Sequence, residues 1–241
     1  MWPALRNSGS GTSYDSQVPG KSGGLFKRRK ILYKTIIFTD FDGTITMEDT
    51  LVGAIRLFTD PKEFEEYNEK LVKGEMTLSQ VVRHAFDGAP SGLLPRMLEY
   101  VDGVQIRPGF PEFLAAMNAL NIPVVVISGG VRQFSERKLA SCMNRLAGLH
   151  AVDLDVATPQ MKLVSRYDDG NELLKKTDVM ALYEYEHAIG IGDSFTDMNM
   201  SQEVDTIFAR DVLANYLTKL GRTFVPYETF YEVTEAIQKS F

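Results

Sequence analysis

The chain has 241 residues, of which 44% are hydrophobic and 24% charged, and its formal net charge is −6. This composition supplies one good-sized apolar core and a smaller second one. The acidic balance argues against a protein that lives on nucleic-acid phosphates, and no run of about 18 apolar residues exists to span a membrane. Cys142 is the only cysteine, and His84, His150 and His187 are scattered, which excludes an intrachain disulfide and a cysteine-rich zinc site and favours a cytoplasmic protein.

Residues 1–32 read as a tail outside the fold, rich in Gly and Ser and closing on the basic cluster Lys27-Arg28-Arg29-Lys30. It lacks the apolar stretch of a secretory signal, although its acid-poor composition leaves organellar targeting as an alternative address. Gly20-Lys21-Ser22 is not a phosphate loop, because Asp15 occupies the required upstream glycine position and no strand precedes it.

The β-formers Ile36 to Thr39 then deliver Asp40 and Asp42 to a strand end, where Gly43 lets the chain turn away. An apolar strand of this kind suits the interior of a parallel sheet, whose C-terminal edge is where open α/β folds bind ligands. Two carboxylates so close repel, and a cation or a shared proton is the usual remedy. From Glu48 to Val101 apolar residues recur at helical spacing in four short runs, with Leu51, Ile55 and Phe58 in the first and Leu78, Val81, Val82 and Ala85 in the third. Four helices with no strand among them predict a cap inserted over residues 47–104.

The pattern alternates from Arg107-Pro108-Gly109 onward. Helices are predicted over Phe113–Leu120, Val131–Leu146, Leu174–Tyr183, from Phe195, over Val212–Leu220 and over Tyr231–Gln238. Strands are predicted over Pro123–Ile127, Leu149–Val156, Met161–Tyr167, His187–Gly192 and Thr206–Ala209. The fold class is α/β, a doubly wound parallel sheet whose core comprises residues 33–46 and 105–241.

In such a sheet, strand ends far apart in sequence meet at one edge. Asp40 and Asp42, Ser128 with Gly129 and Gly130, and Asp193 with Asp197 would gather there. Carboxylates converging without histidine or cysteine make a hard oxygen site suited to Mg²⁺. Ser128-Gly129-Gly130 offers a hydroxyl and unobstructed amides to an anion.

These motifs resemble the haloacid dehalogenase superfamily, whose pattern is Asp-x-Asp-Gly-Thr, a Ser or Thr, a lysine and Gly-Asp-x-x-x-Asp. Here they read Asp40-Phe-Asp42-Gly43-Thr44, Ser128, a lysine in Lys175-Lys176, and Gly192-Asp193-Ser-Phe-Thr-Asp197. Lys176 is the preferred lysine, with Lys162 as the reserve. The resemblance implies a phosphomonoesterase acting on a small phosphorylated metabolite, as a monomer or homodimer. In it Asp40 is the nucleophile and Asp42 the general acid and base. Asp40, the Asp42 carbonyl and Asp193 hold Mg²⁺, Ser128, Gly129 and Lys176 hold phosphate, and Asp197 orients the lysine or a metal-bound water.

The helical cap resembles that of the phosphoserine phosphatase branch. In that branch a Glu contacts the substrate amine and a cap Arg its carboxylate; the first position here is Asp49, and the second aligns with Ala85, beside Arg83 and His84. A likeness to the phosphatases of methionine salvage, which act on 2-hydroxy-3-keto-5-methylthiopentenyl-1-phosphate, is carried by Asp40 to Met47, Asp49, Val126 to Gly130, Phe208-Ala-Arg-Asp211 and Pro226-Tyr-x-x-Phe230-Tyr-Glu232. The short turn Tyr167 to Leu174 replaces that family's cysteine-rich insert. A phosphoserine or other phospho-amine phosphatase is the alternative reading, and a phosphometabolite-binding scaffold the non-enzymatic one.

Overall fold

The computed structural model describes residues 31–240, so the expectations for the N-terminal tail lie outside the described residues. A seven-stranded sheet runs in the order β4-β3-β2-β1-β5-β6-β7. Its strands are β1 (Leu32–Thr39), β2 (Val124–Val131), β3 (Gly148–Asp155), β4 (Lys162–Val164), β5 (Glu184–Gly192), β6 (Thr206–Ala209) and β7 (Val225–Pro226). Every pairing is parallel except β3 with β4. From β1 the chain winds one way through β2 to β4, and from β5 the other way to β7. The strand order therefore reverses between β1 and β5, the switch point at which α/β sheets form a crevice.

Alternation along the strands splits the apolar residues between two faces. Ile36 and Phe38 of β1, with Val125 and Ile127 of β2, enter one core cluster. Ile37, Val124 and Val126 enter the other, beneath α5 (Phe110–Ala119) and α10 (Phe230–Gln238). The first face is covered by α6 (Arg132–Leu139), α7 (Lys176–Met180) and α8 (Met198–Gln202), and also by four helices that precede β2. These are α1 (Thr50–Ile55), α2 (Pro61–Val72), α3 (Leu78–Phe86) and α4 (Leu94–Gly103), the segment expected as a cap. Ala54, Ile55, Val82, Phe86, Met97 and Val101 join the same cluster as the sheet residues. A separate small cluster anchors α9 (Asp211–Lys219) on β6.

Several elements are shorter than their apolar pattern predicts. The helix expected over Val131–Leu146 ends at Leu139 and resumes only as a 3-10 turn at Met143–Arg145. Phe134 packs on one sheet face, whereas Leu139 and Cys142 pack on the other, and an unbroken helix could not serve both. The helix expected from Leu174 starts at Lys176, because Leu173 and Leu174 are drawn into the core and the Lys175 amide bonds the Tyr167 carbonyl. The strand expected over Met161–Tyr167 forms only at Lys162–Val164, antiparallel at the sheet edge. Ser128 and Gly129 lie within β2, where pairing to β3 breaks between Ile127 and Val131.

Candidate active site

Pairing places the acids directly at the switch point. Thr39 is opposite Ile191, and the Asp40 amide donates to the Ile191 carbonyl at 2.9 Å. Asp40 therefore leaves β1 beside the last residues of β5, one step from Asp193. Carboxylate oxygens of Asp40, Asp193 and Asp197 all lie within 4.8 Å of one another. The Lys176 ammonium enters this group from the first turn of α7, 2.7 Å from Asp40 Oδ1 and 2.5 Å from Asp197 Oδ1. Of the other two candidate lysines, Lys175 pairs at 3.7 Å with Asp178 and Lys162 is exposed on β4.

Asp40 is 4% exposed, Lys176 1% and Asp197 0%. Burying charge without enough countercharge is costly, and one ammonium against three carboxylates leaves the group negative. Burial first, and then Asp197, pushes the Asp40 carboxyl well above the usual range, against the pull of Lys176. Asp193 rises to about 7 through burial and the neighbouring Asp197, although the Thr44 hydroxyl donates to its Oδ1 at 2.6 Å. For Lys176, burial opposes the charge but is outweighed by Asp197 and Asp40, so its ammonium is held more firmly than usual.

Asp42 faces elsewhere. Its Oδ1 accepts from the Thr50 amide at 2.8 Å and from the Thr50 hydroxyl at 2.5 Å, and its Oδ2 accepts from Ser128 Oγ at 3.3 Å. Burial, then repulsion from Asp49, raises its carboxyl to about 7 despite these bonds. The two acids of one strand end thus sit in different environments, one against a lysine and the other against hydroxyls. Ser128 Oγ also accepts from the Gly130 amide at 2.9 Å. A side chain at Gly130 would overlap Asp42, whereas one at Gly129 would meet open space.

Asp197 Oδ2 accepts from the amides of Asp193 and Ser194, each at 3.0 Å, so its two oxygens divide between the β5 turn and Lys176. A Cβ at Gly43, where φ is 75°, would lie 2.5 Å from Asp193 Oδ2, so this residue is needed both for the turn and for the space beside the acid. Asp49 is exposed, and its Oδ1 is engaged in capping α1 through the Val52 amide at 2.8 Å. The cap takes one carboxylate oxygen, and Asp49 lies near enough to Asp42 to raise its carboxyl. Arg83 is likewise engaged: its guanidinium meets Asp168 Oδ2 at 2.6 and 3.1 Å and the Leu163 carbonyl at 2.9 Å. Ala85 lines a cavity of about 290 Å³ with Phe58, Phe64, Tyr67 and His84.

Thr50, Arg107, Glu172 and Tyr227 complete the surroundings; Arg107 and Tyr227 lie in stretches the sequence singled out, but neither was expected at the site. Glu172 is half-buried and near enough to Lys176 and Asp197 to feel both, and burial raises its carboxyl to about 7. Tyr227 is 3% exposed, and its hydroxyl forms no hydrogen bond among the described residues.

This fold, with acids at the β1 and β5 ends and a buried lysine between them, defines a hydrolase class. The chain belongs to the haloacid dehalogenase-like hydrolase family, whose pattern it matches over residues 37–202. It is 33% identical to the 2-hydroxy-3-keto-5-methylthiopentenyl-1-phosphate phosphatase of Microcystis aeruginosa, over 83% of this chain and 96% of that one. Identity to the protein of the same name from Bacillus mycoides is 30%, over 82% and 93% of the two chains. Among solved structures, a substrate-bound phosphoserine phosphatase superposes with a TM-score of 0.64 at 15% identity, covering 85% of this chain and 98% of that one. A phosphoserine phosphohydrolase-like protein from Francisella tularensis gives 0.64 at 18% identity, over 84% and 99%. At such identities the structural matches speak for the fold alone.

Proposed function

We propose that this phosphatase is a Mg²⁺-dependent phosphomonoesterase acting through an aspartyl-phosphate, with 2-hydroxy-3-keto-5-methylthiopentenyl-1-phosphate or a close analogue as substrate. The observation that carries the reading is the division of labour between Asp40 and Asp42. Paired acids pushed into different environments are the arrangement expected of a nucleophile and an acid/base partner. The negative, histidine-free oxygen cluster fits a hard divalent cation. Asp40, Asp193 and the Asp42 carbonyl would hold it, and when bound it supplies charge neutralisation that lets an anion approach a phosphate.

In this reading an Asp40 oxygen attacks phosphorus, and the bond from phosphorus to the substrate alcohol breaks. Asp42, whose carboxyl titrates near 7, gives its proton to the departing alkoxide. It then takes a proton from the water that attacks the aspartyl-phosphate, which regenerates Asp40 and releases inorganic phosphate. Lys176 and Ser128 contribute donors to the phosphoryl oxygens, and Asp197 keeps the ammonium aimed. The helical segment acts as a cap that selects the alcohol. Arg83 is committed to Asp168, so a free cap arginine for a phosphoserine carboxylate is missing from that position, which favours an uncharged substrate tail.

The test is hydrolysis of p-nitrophenyl phosphate and of the enol-phosphate substrate by the native chain and by Asp40→Asn. Turnover that needs Mg²⁺, is abolished by EDTA and falls at least about a thousandfold in the variant is expected. Activity that survives in Asp40→Asn would sink the nucleophile assignment, and preference for phosphoserine would sink the substrate assignment.

A further inference from the structure

Arg107 is 3% exposed, yet no carboxylate among the described residues lies within salt-bridge distance of it. Its guanidinium is satisfied by main-chain carbonyls instead. Nε donates to Thr44 O at 2.7 Å, Nη2 to Gly43 O at 2.5 Å and to Thr46 O at 3.4 Å, and Nη1 to Glu228 O at 3.3 Å. A planar fork of five donors suits this work, whereas a lysine offers a single point of attachment. Hydrogen bonds from a charged donor are among the stronger ones. Burying a cation with no countercharge carries a desolvation cost, which these bonds to carbonyls offset.

Those carbonyls belong to the turn that follows Asp42. Holding Thr44 O fixes the Thr44 Cα, and the Thr44 hydroxyl, on the opposite side of the turn, donates at 2.6 Å to Asp193 Oδ1. Arg107 also belongs to a short ribbon joining the two connections of the helical segment. There the Arg107 amide bonds Ile45 O at 2.7 Å, the Met47 amide bonds Gln105 O at 2.9 Å, and Thr46 is bridged to Ile106. One side chain therefore touches both the turn that steers an acid of the cluster and the base of the helical segment.

We propose that Arg107 is a positioning residue that orients Asp193 through Thr44 and couples cation binding to the rigidity of the 45–47/105–107 ribbon. The inference rests on the cation-dependent reading above. Outer residues that orient metal ligands typically change metal affinity by about 10–100-fold when altered, and coupling of this kind is reciprocal. The experiment is calorimetric titration of the metal-free chain with Mg²⁺, alongside hydrogen exchange of the ribbon amides with and without Mg²⁺.

In the native chain Mg²⁺ binds and slows exchange at Met47 and Arg107. In Arg107→Lys, which keeps the buried charge, the Mg²⁺ dissociation constant rises about tenfold and the slowing disappears. KM for p-nitrophenyl phosphate at saturating Mg²⁺ stays within about threefold of native, because no phosphate contact is removed. Should Arg107→Lys not fold, Thr44→Val carries the test, since it removes the hydroxyl link alone and must reproduce the affinity loss. A folded Arg107→Lys or Thr44→Val with native Mg²⁺ affinity overturns the coupling and leaves the phosphatase reading intact. A native chain that does not bind Mg²⁺ overturns both.

Discussion

The strand edge and the helices beside it are built from opposite materials. At the ends of β1 and β5, Asp40, Asp197 and Lys176 are buried charges, and Asp40 and Asp193 titrate far above the usual carboxylate range because water has been withdrawn from them. In α1–α4, burial is apolar apart from Thr50, which bonds Asp42, and Ser79: Phe86, Met97 and Val101 are 0% exposed and share a cluster with the sheet. The other polar contacts lie at the margin, where Arg83, Ser79 and Thr77 reach Asp168 and the Gly170 carbonyl. The first region holds electrostatic repulsion among buried acids; the second supplies the apolar packing that offsets it.

That contrast can be broken at its apolar side with the largest effect. Phe86→Ala empties a site packed edge-on by Phe58, with ring centroids 5.7 Å apart, and should cost about 3–5 kcal/mol in denaturant unfolding. Its kcat per folded molecule should change far less than its stability, because no acid at the strand edge is moved. Equal losses in both would mean that the two regions are not separable.

A smaller effect is expected at the margin. Asp168→Ala removes the nearer of the two carboxylates of Arg83, leaving Asp87 at 3.4 Å, and frees the Ser79 hydroxyl, which should cost about 1–3 kcal/mol. The more telling readout is KM, which should rise for the metabolite but not for p-nitrophenyl phosphate, whose flat nitrophenyl group lacks the flexible tail and its polar groups. An equal rise for both substrates would place the effect at the strand edge instead.

The smallest effect sharpens the electrostatic side. Asp193 and Asp42 each titrate near 7 in the folded chain and near 3.9 when unfolded. Between those values the folded form holds protons that the unfolded form has lost, so stability of the metal-free chain falls as pH rises from about 4 to 7. Asp193→Asn removes one charge from the cluster and can still accept from Thr44. It should raise the metal-free Tm on the order of 5 °C at pH 8 and flatten that part of the pH profile. A Tm equal to or below native at pH 8 would show that Asp193 is not under repulsion.

The sequence carried the acid-bearing strand ends unusually openly. β1, β2, β5 and β6 announce themselves as β-branched and aromatic runs, and the polar residues that follow them meet because a parallel sheet delivers all its C-termini to one edge. Lys176, given in sequence with two competitors, is set apart by position, since its ammonium alone of the three reaches Asp40. What was illegible depends on long-range partners. The bonds of Arg107 to Gly43 and Thr44 span more than 60 residues, and an arginine that binds carbonyls has no spacing signature. β7 is two residues long, too short for any alternation to register. Asp49 reads in sequence as a substrate ligand, and its use as the cap of α1 through the Val52 amide shows only once the helix start is located.

The margin between the helices and β4 has a further consequence. Main-chain bonds run from Gly88 to Met161, from Met161 back to Ala89 and from Ser91 to Pro159, and the Leu163 amide is held by Asp87. The outer border of the segment takes no part in this seam. That border is α2, which buries no residue and leans over the cavity beside Ala85. Local melting of the segment would begin in this helix, at a small free energy of its own.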